Sequence, residues 1–154
     1  MREKISLMIR ASVVGVVLLA SGCGKSPPAI TLAEGTVTYL GQPLANAQVQ
    51  FVPMLKDFGG EWNSVGVTDE MGHFTLTCAG QPGAAVGRNR VLVLEGPLTA
   101  EARGQSEAAQ NAFSLHMSKL KNRPIPIKYG SVSQTPLEVE VKIGQTNYDL
   151  VLDR

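Results

Sequence analysis

Histidine is nearly absent from this sequence: His73 and His116 are the only two. Neither has a Glu or His at the spacing a zinc peptidase helix requires, which argues against that chemistry. A nucleophile elbow of the G-x-S-x-G kind is also missing, so a serine hydrolase has no activated serine here. Gly83-Ala84-Ala85-Val86-Gly87-Arg88 lacks the spacing and the Lys-Ser/Thr ending of a phosphate loop. No basic stripe exists to hold a phosphate backbone, so nucleic acid is not an expected partner. Aromatic residues make up 5% of the chain, with one tryptophan, Trp62. No pattern requires a cofactor, a metal or a catalytic residue, and the expectation is a protein without enzymatic activity.

What is present begins with an address. Arg2, Lys4 and Arg10 precede the apolar run Ala11 to Ala20, and Ser21-Gly22-Cys23 follows. A basic start, a short apolar run and small residues before a cut describe a secretory signal peptide. Arg10 leaves that run too short to span a bilayer comfortably. Ser21-Gly22-Cys23 resembles the bacterial lipobox, in which the Cys becomes the lipidated first residue of the mature chain. Residues 1–22 are then the signal and residues 23–33, with Pro27-Pro28, a lipidated Cys and tether. More than one acyl chain on Cys23 would give stable anchoring to a membrane. Gly24, where inner-membrane lipoproteins carry Asp, points to the outer membrane, facing the periplasm or the surface.

Removing residues 1–22 takes away Arg2, Lys4, Arg10 and Glu3, leaving 11 basic and 12 acidic side chains, a net of −1. Cys78 is then the only thiol, and with Cys23 acylated no intramolecular disulfide can form. Cys78 continues the face of Phe74 and Leu76 and reads as a small buried hydrophobe.

From residue 34 to 154 the pattern is that of one domain of short strands. The 16 glycines and nine prolines, spread along the chain, suit many turns. Glu34 to Leu40 reads as a first strand with Val37 and Tyr39 on one side. Asn46 to Pro53 is the second, with Ala47, Val49 and Phe51 inward and Gln48 and Gln50 outward. Val65 to Thr77 reads as a hairpin about Asp69-Glu70-Met71-Gly72. Gly72 supplies the positive φ, and Asp69 accepts from backbone N–H groups two residues on. The two adjacent acids there are turn chemistry rather than a calcium site. Arg90 to Glu95 is strand five, and its successive Val91, Leu92, Val93 and Leu94 want cover on both faces. Leu137 to Ile143 and Asn147 to Asp153 complete seven strands. The fold class expected is an all-β, seven-stranded antiparallel β-sandwich.

Residues 97–123 break that rhythm. Ala109, Ala112, Phe113, Met117 and Leu120 recur at helical spacing, so Ser106 to Lys121 is expected to be an amphipathic helix. It would either cover the second face of strand five or serve as a lid, partner-binding or membrane-surface helix. Lys119, Lys121 and Arg123 near its end complement the helix dipole.

Gly35 to Pro53, G-T-V-T-Y-L-G-Q-P-L-A-N-A-Q-V-Q-F-V-P, resembles the opening of the carboxypeptidase regulatory-like domains, which are transthyretin-like sandwiches. Val67 to Leu76 is similar to that family's second signature. Pro126 to Leu150 resembles the closing strands of such domains in small bacterial lipoproteins. The resemblance covers the mature chain outside residues 97–123 and implies a non-catalytic binding or structural module of the cell envelope. Asn89 departs from it, standing where an aromatic is usual. The superfamily also contains hydroxyisourate hydrolase, which uses His and Arg residues with a C-terminal Tyr-Arg-Gly-Ser motif. This chain ends Val151-Leu152-Asp153-Arg154, and its internal Tyr129-Gly130-Ser131 lacks the Arg. Three functional readings follow. The first is an envelope module contacting a partner protein through loops at Lys56–Asn63 and Ala79–Gly87. The second is a glycan-binding module stacking a sugar on Trp62, and the third is a hydrolase dependent on His73 or His116.

Overall fold

The computed structural model describes residues 26–56 and 58–154. The expected leader, residues 1–22, and Cys23 lie outside the described residues. In chain order the first strands are β1 (Ile30–Thr31), β2 (Glu34–Tyr39), β3 (Gln42–Pro43) and β4 (Ala47–Pro53). Next come β5 (Ser64–Val67), β6 (His73–Thr75), β7 (Thr77–Cys78), β8 (Gln81–Pro82) and β9 (Ala84–Ala85). The last are β10 (Gly87–Glu95), β11 (Glu138–Val141) and β12 (Leu150–Leu152), with one helix, α1 (Glu107–Lys119), between β10 and β11. Short 3-10 turns lie at Gly60–Trp62 and Ile127–Gly130.

The class is all-β with one helix, as expected, but twelve strands are present among the described residues instead of seven. The extra strands are two residues long and lie in stretches expected to be tether and turns, except β7, which begins in the arm of the expected hairpin. Buried backbone must find partners even where side chains show no periodicity. Thus Ile30–Thr31, expected within the tether, pairs with Ala84–Ala85, and Ala33 is buried. The larger sheet has the order β11-β10-β4-β5-β7-β8. The smaller has the order β12-β2-β3, with β6 also paired to β2. Among the described residues every ladder is antiparallel except one: β12 runs parallel to β2, Leu150 beside Val37 and Leu152 beside Tyr39.

The two sheets share one core. Val49, Phe51, Val91 and Val93 come from the larger sheet and Val37, Phe74, Leu150 and Leu152 from the smaller. A period of two, the strand's own geometry, places all of these inward except Val91 and Val93, which belong to a run expected to need cover on both faces. Phe51 sits where they meet, edge-on to Phe74 at 6.2 Å and to Tyr148 at 6.0 Å between ring centroids.

The turn between β5 and β6 forms as its residues require. Gly72 has φ +77°, and Asp69 Oδ1 accepts from Met71 N and His73 N, both at 2.9 Å. The arms of the expected hairpin do not stay together, however. β5 pairs with β7 at Ser64–Cys78 and Val65–Thr77. Between them, β6 leaves to pair with β2, Phe74 opposite Gly35. This single return strand therefore stitches one sheet to the other. Thr68, at the end of β5, is buried. It donates from Oγ1 to Leu44 O at 2.6 Å and accepts from Ala47 N at 2.8 Å.

Two further expectations are corrected. Helix α1 is capped by Ser106, whose Oγ accepts from Ala109 N at 3.1 Å. It does not cover strand five: Ala109 is its one buried residue, and Phe113 and Leu115 are exposed. The Ile127–Gly130 turn lies there instead, with Gly130 against the Leu94 side chain. A mean apolar spacing places a helix face; it does not say that anything packs on it. The sixth expected strand also stops early, at Val141, and Ile143 is 77% exposed.

Candidate functional site

The body has two unlike ends. At one, Ala29 O accepts from Val86 N at 2.8 Å and Glu34 N donates to Thr146 O at 2.8 Å. Here β4 finishes beside the start of β10, Pro53 opposite Asn89. Both loops expected to make contacts, Lys56–Asn63 and Ala79–Gly87, are at this end. At the other end, Gly96 N donates to Asn46 O at 2.9 Å and Leu40 N to Leu152 O at 3.3 Å. The insert is tied here. β10 is nine residues long, so the ends are roughly 30 Å apart.

Trp62 closes the first end. It is half-buried and stands nearly perpendicular to Phe58, with ring centroids 6.1 Å apart. Cys78, fully buried, donates from Sγ to Trp62 O at 3.2 Å. The cysteine thus packs as a core residue and also pins the tryptophan's backbone. Beside the start of the described chain, a groove of about 290 Å³ is lined by Leu32, Leu76, Pro82 and Thr146 among others. Asn89 is buried in this half of the core and donates to Ala85 O and Gly87 O at 3.1 and 2.8 Å. That accounts for its place in a position where an aromatic was expected, although its Oδ1 has no partner.

The second end carries the insert and an arginine that sequence reading assigned only to the helix dipole. The Arg123 side chain is 9% exposed and lies 2.6 Å from Glu95 Oε2. It also donates to the Ala45, Asn46 and Lys121 carbonyls. Arg's planar fork suits such a set of acceptors. His116, from α1, meets Asn46 Nδ2 at 3.2 Å.

The two histidines are not brought into one site. His73, in β6, is near Glu34, 3.9 Å away, whereas His116 contacts Asn46. Among the described residues, no three His, Cys, Asp or Glu side chains cluster as metal ligands would. Tyr129 is buried. Its hydroxyl donates to Asp153 Oδ1 at 2.8 Å and accepts from Asp153 N at 2.9 Å. Tyr129 thereby ties the C-terminal strand to the 3-10 turn, a role no motif in the sequence announces.

Charge supports the same closing segment. The Lys128 ammonium, 2.6 Å away, and the Tyr129 hydroxyl hold the Asp153 carboxyl below its ordinary range. The Thr36 hydroxyl, Asn147 and the Thr36 backbone N–H do the same for Asp149. In return, the bond to Asp153 raises Lys128, and burial pushes the Tyr129 phenol up. Groups lowered in the fold stabilise it above their unfolded values and lose that contribution as pH falls through the folded ones. Groups raised in the fold contribute fully below their unfolded values and lose that as pH rises further. Stability is therefore expected to fall below about pH 4 and above about pH 10. Asp149→Asn should flatten the acid limb of urea midpoints measured against pH. An unchanged acid limb would remove Asp149 from this role.

No family model, curated protein or solved structure matches this chain. Among the described residues no helix is long and apolar enough to cross a membrane.

Proposed function

We propose that this chain is a non-catalytic, lipid-anchored module of the cell envelope, acylated at Cys23. We propose further that its two-sheet body is a transthyretin-like sandwich of the carboxypeptidase regulatory-like kind, binding or bracing a partner in the envelope. The observation carrying the anchor is the sequence itself: basic start, short apolar run, then Ser21-Gly22-Cys23. The order of the body supports the rest, because the pairing of Ile30–Thr31 starts the fold soon after that cysteine. A non-catalytic reading agrees with histidines that stand apart, each beside a neighbour of its own.

Full-length protein from a bacterial host, labelled with radioactive palmitate and split between detergent and water, tests the anchor. The wild-type chain is expected to carry label and enter the detergent phase. Cys23→Ala should lose the label and move to water. Unlabelled wild-type protein that stays aqueous would overturn the proposal.

A further inference from the structure

Resting on the anchor just proposed, we infer that the end of the body bearing β1 and Trp62 lies on the bilayer surface. The insert is then held up at the opposite end. The argument is one of chain length. Among the described residues, the first backbone group bonded to the body is Ala29 O, which accepts from Val86 N at 2.8 Å. From Cys23 to Ala29 a fully extended chain reaches about 20 Å, and Pro27-Pro28 keeps it stiff. Roughly 30 Å of β10 separate that end from the insert. An anchor so short brings the β1 end to the lipid and leaves α1 beyond its reach in an upright body.

The surface of that end suits the placement. Leu32 is 60% exposed, Met54 52% and Ile143 77%, and the chain bonds around all three mark the same end. Leu32 lines the groove that Thr146 shares, Met54 N donates to Arg88 O, and Glu34 N reaches Thr146 O just past Ile143. Apolar side chains projecting singly, with the half-buried Trp62 beside them, are what a headgroup layer accepts. They add contact without requiring insertion of a helix. Leu40, Met71 and Leu115 are exposed at the far end too, so the length of the tether decides the orientation. In this orientation the exposed Phe113 and Leu115 of α1 are turned away from lipid.

Trp62, the only tryptophan, makes this measurable. Acylated full-length protein would be placed in phosphatidylethanolamine–phosphatidylglycerol vesicles containing headgroup spin-labelled lipid, and tryptophan emission recorded. Two relocated reporters, Trp62→Phe with Leu115→Trp and Trp62→Phe with Met71→Trp, move the probe to the far end. Quenching at Trp62 should exceed that of either reporter by at least about three-fold, given the separation of the ends. Equal or stronger quenching at both far-end reporters would overturn the orientation. Mass measurement of the N-terminal peptide in the same sample separates the two failures. An acylated Cys23 with reversed quenching sinks the orientation alone; an unmodified Cys23 sinks the anchor and the orientation with it.

Discussion

Phe51→Ala is expected to remove about 3–5 kcal/mol of stability, the usual toll for deleting a buried ring. The Phe51 side chain is fully buried and faces Val91 on one neighbouring strand and Ser64 on the other. Its ring also reaches across to Phe74 and Tyr148 of the smaller sheet, so the cavity would open between the sheets rather than within one. Backbone on both sides is hydrogen-bonded and cannot collapse to fill it. Since small domains have only about 5–15 kcal/mol in hand, the urea midpoint should drop steeply. Phe51→Leu, which keeps most of the apolar volume, should lose a clearly smaller share. A loss under about 1 kcal/mol for the alanine variant would mean that the two sheets do not depend on this contact.

Arg123→Ala should cost about 2–4 kcal/mol, less than a fully buried ion pair would because Glu95 keeps partial access to water. The side chain of Glu95 is 44% exposed and that of Arg123 is 9% exposed. Removing the guanidinium takes away the donor to Ala45 O, while Asn46 O keeps its bond from Gly96 N, and a partly buried acceptor left without a donor is costly. The change should be local as well as global. Hydrogen exchange in residues 97–123 is expected to accelerate more than in β4 or β10, because Arg123 anchors the end of that segment. Arg123→Lys keeps the charge but cannot serve several acceptors at once, so it should rescue only part. Uniform acceleration across the whole body would show that Arg123 supports the core and not the insert.

Both residues show what the sequence discloses and what it leaves hidden. Phe51 was legible because alternation along Ala47, Val49 and Phe51 marks an inward face whatever the neighbouring strand proves to be. The Asp69–Gly72 turn was legible because its residues carry their own geometry, and Cys78 because it continues the face of Phe74 and Leu76. Periodicity does not choose partners, however. Nothing in Leu150–Leu152 says that it runs parallel to β2, and two-residue strands such as β1 leave no pattern. The apolar spacing that predicts Ser106 to Lys121 places helix α1 almost to the residue, yet spacing alone does not say what the helix packs on. The Ile127–Gly130 turn that lies beside Leu94 is too short to leave a signal. At the site, Trp62 was legible as the tryptophan of a glycine-rich loop, whereas its tie to Cys78 depends on how β5 and β7 pair. Arg123 looked like one basic residue among three. Only the meeting of Glu95, Ala45 and Asn46 distinguishes it.

The parallel union of the last strand with β2 bears on when the protein can mature. Thr36 and Asp149, bonded at 2.6 Å, are 113 residues apart in the chain. Contacts at such separation form late and slowly. While the polypeptide is still being delivered, the sockets for Tyr148, Leu150 and Leu152 stand vacant and the core remains open. If the chain is exported as proposed, closure of the core waits until residues 147–152 can lie beside β2.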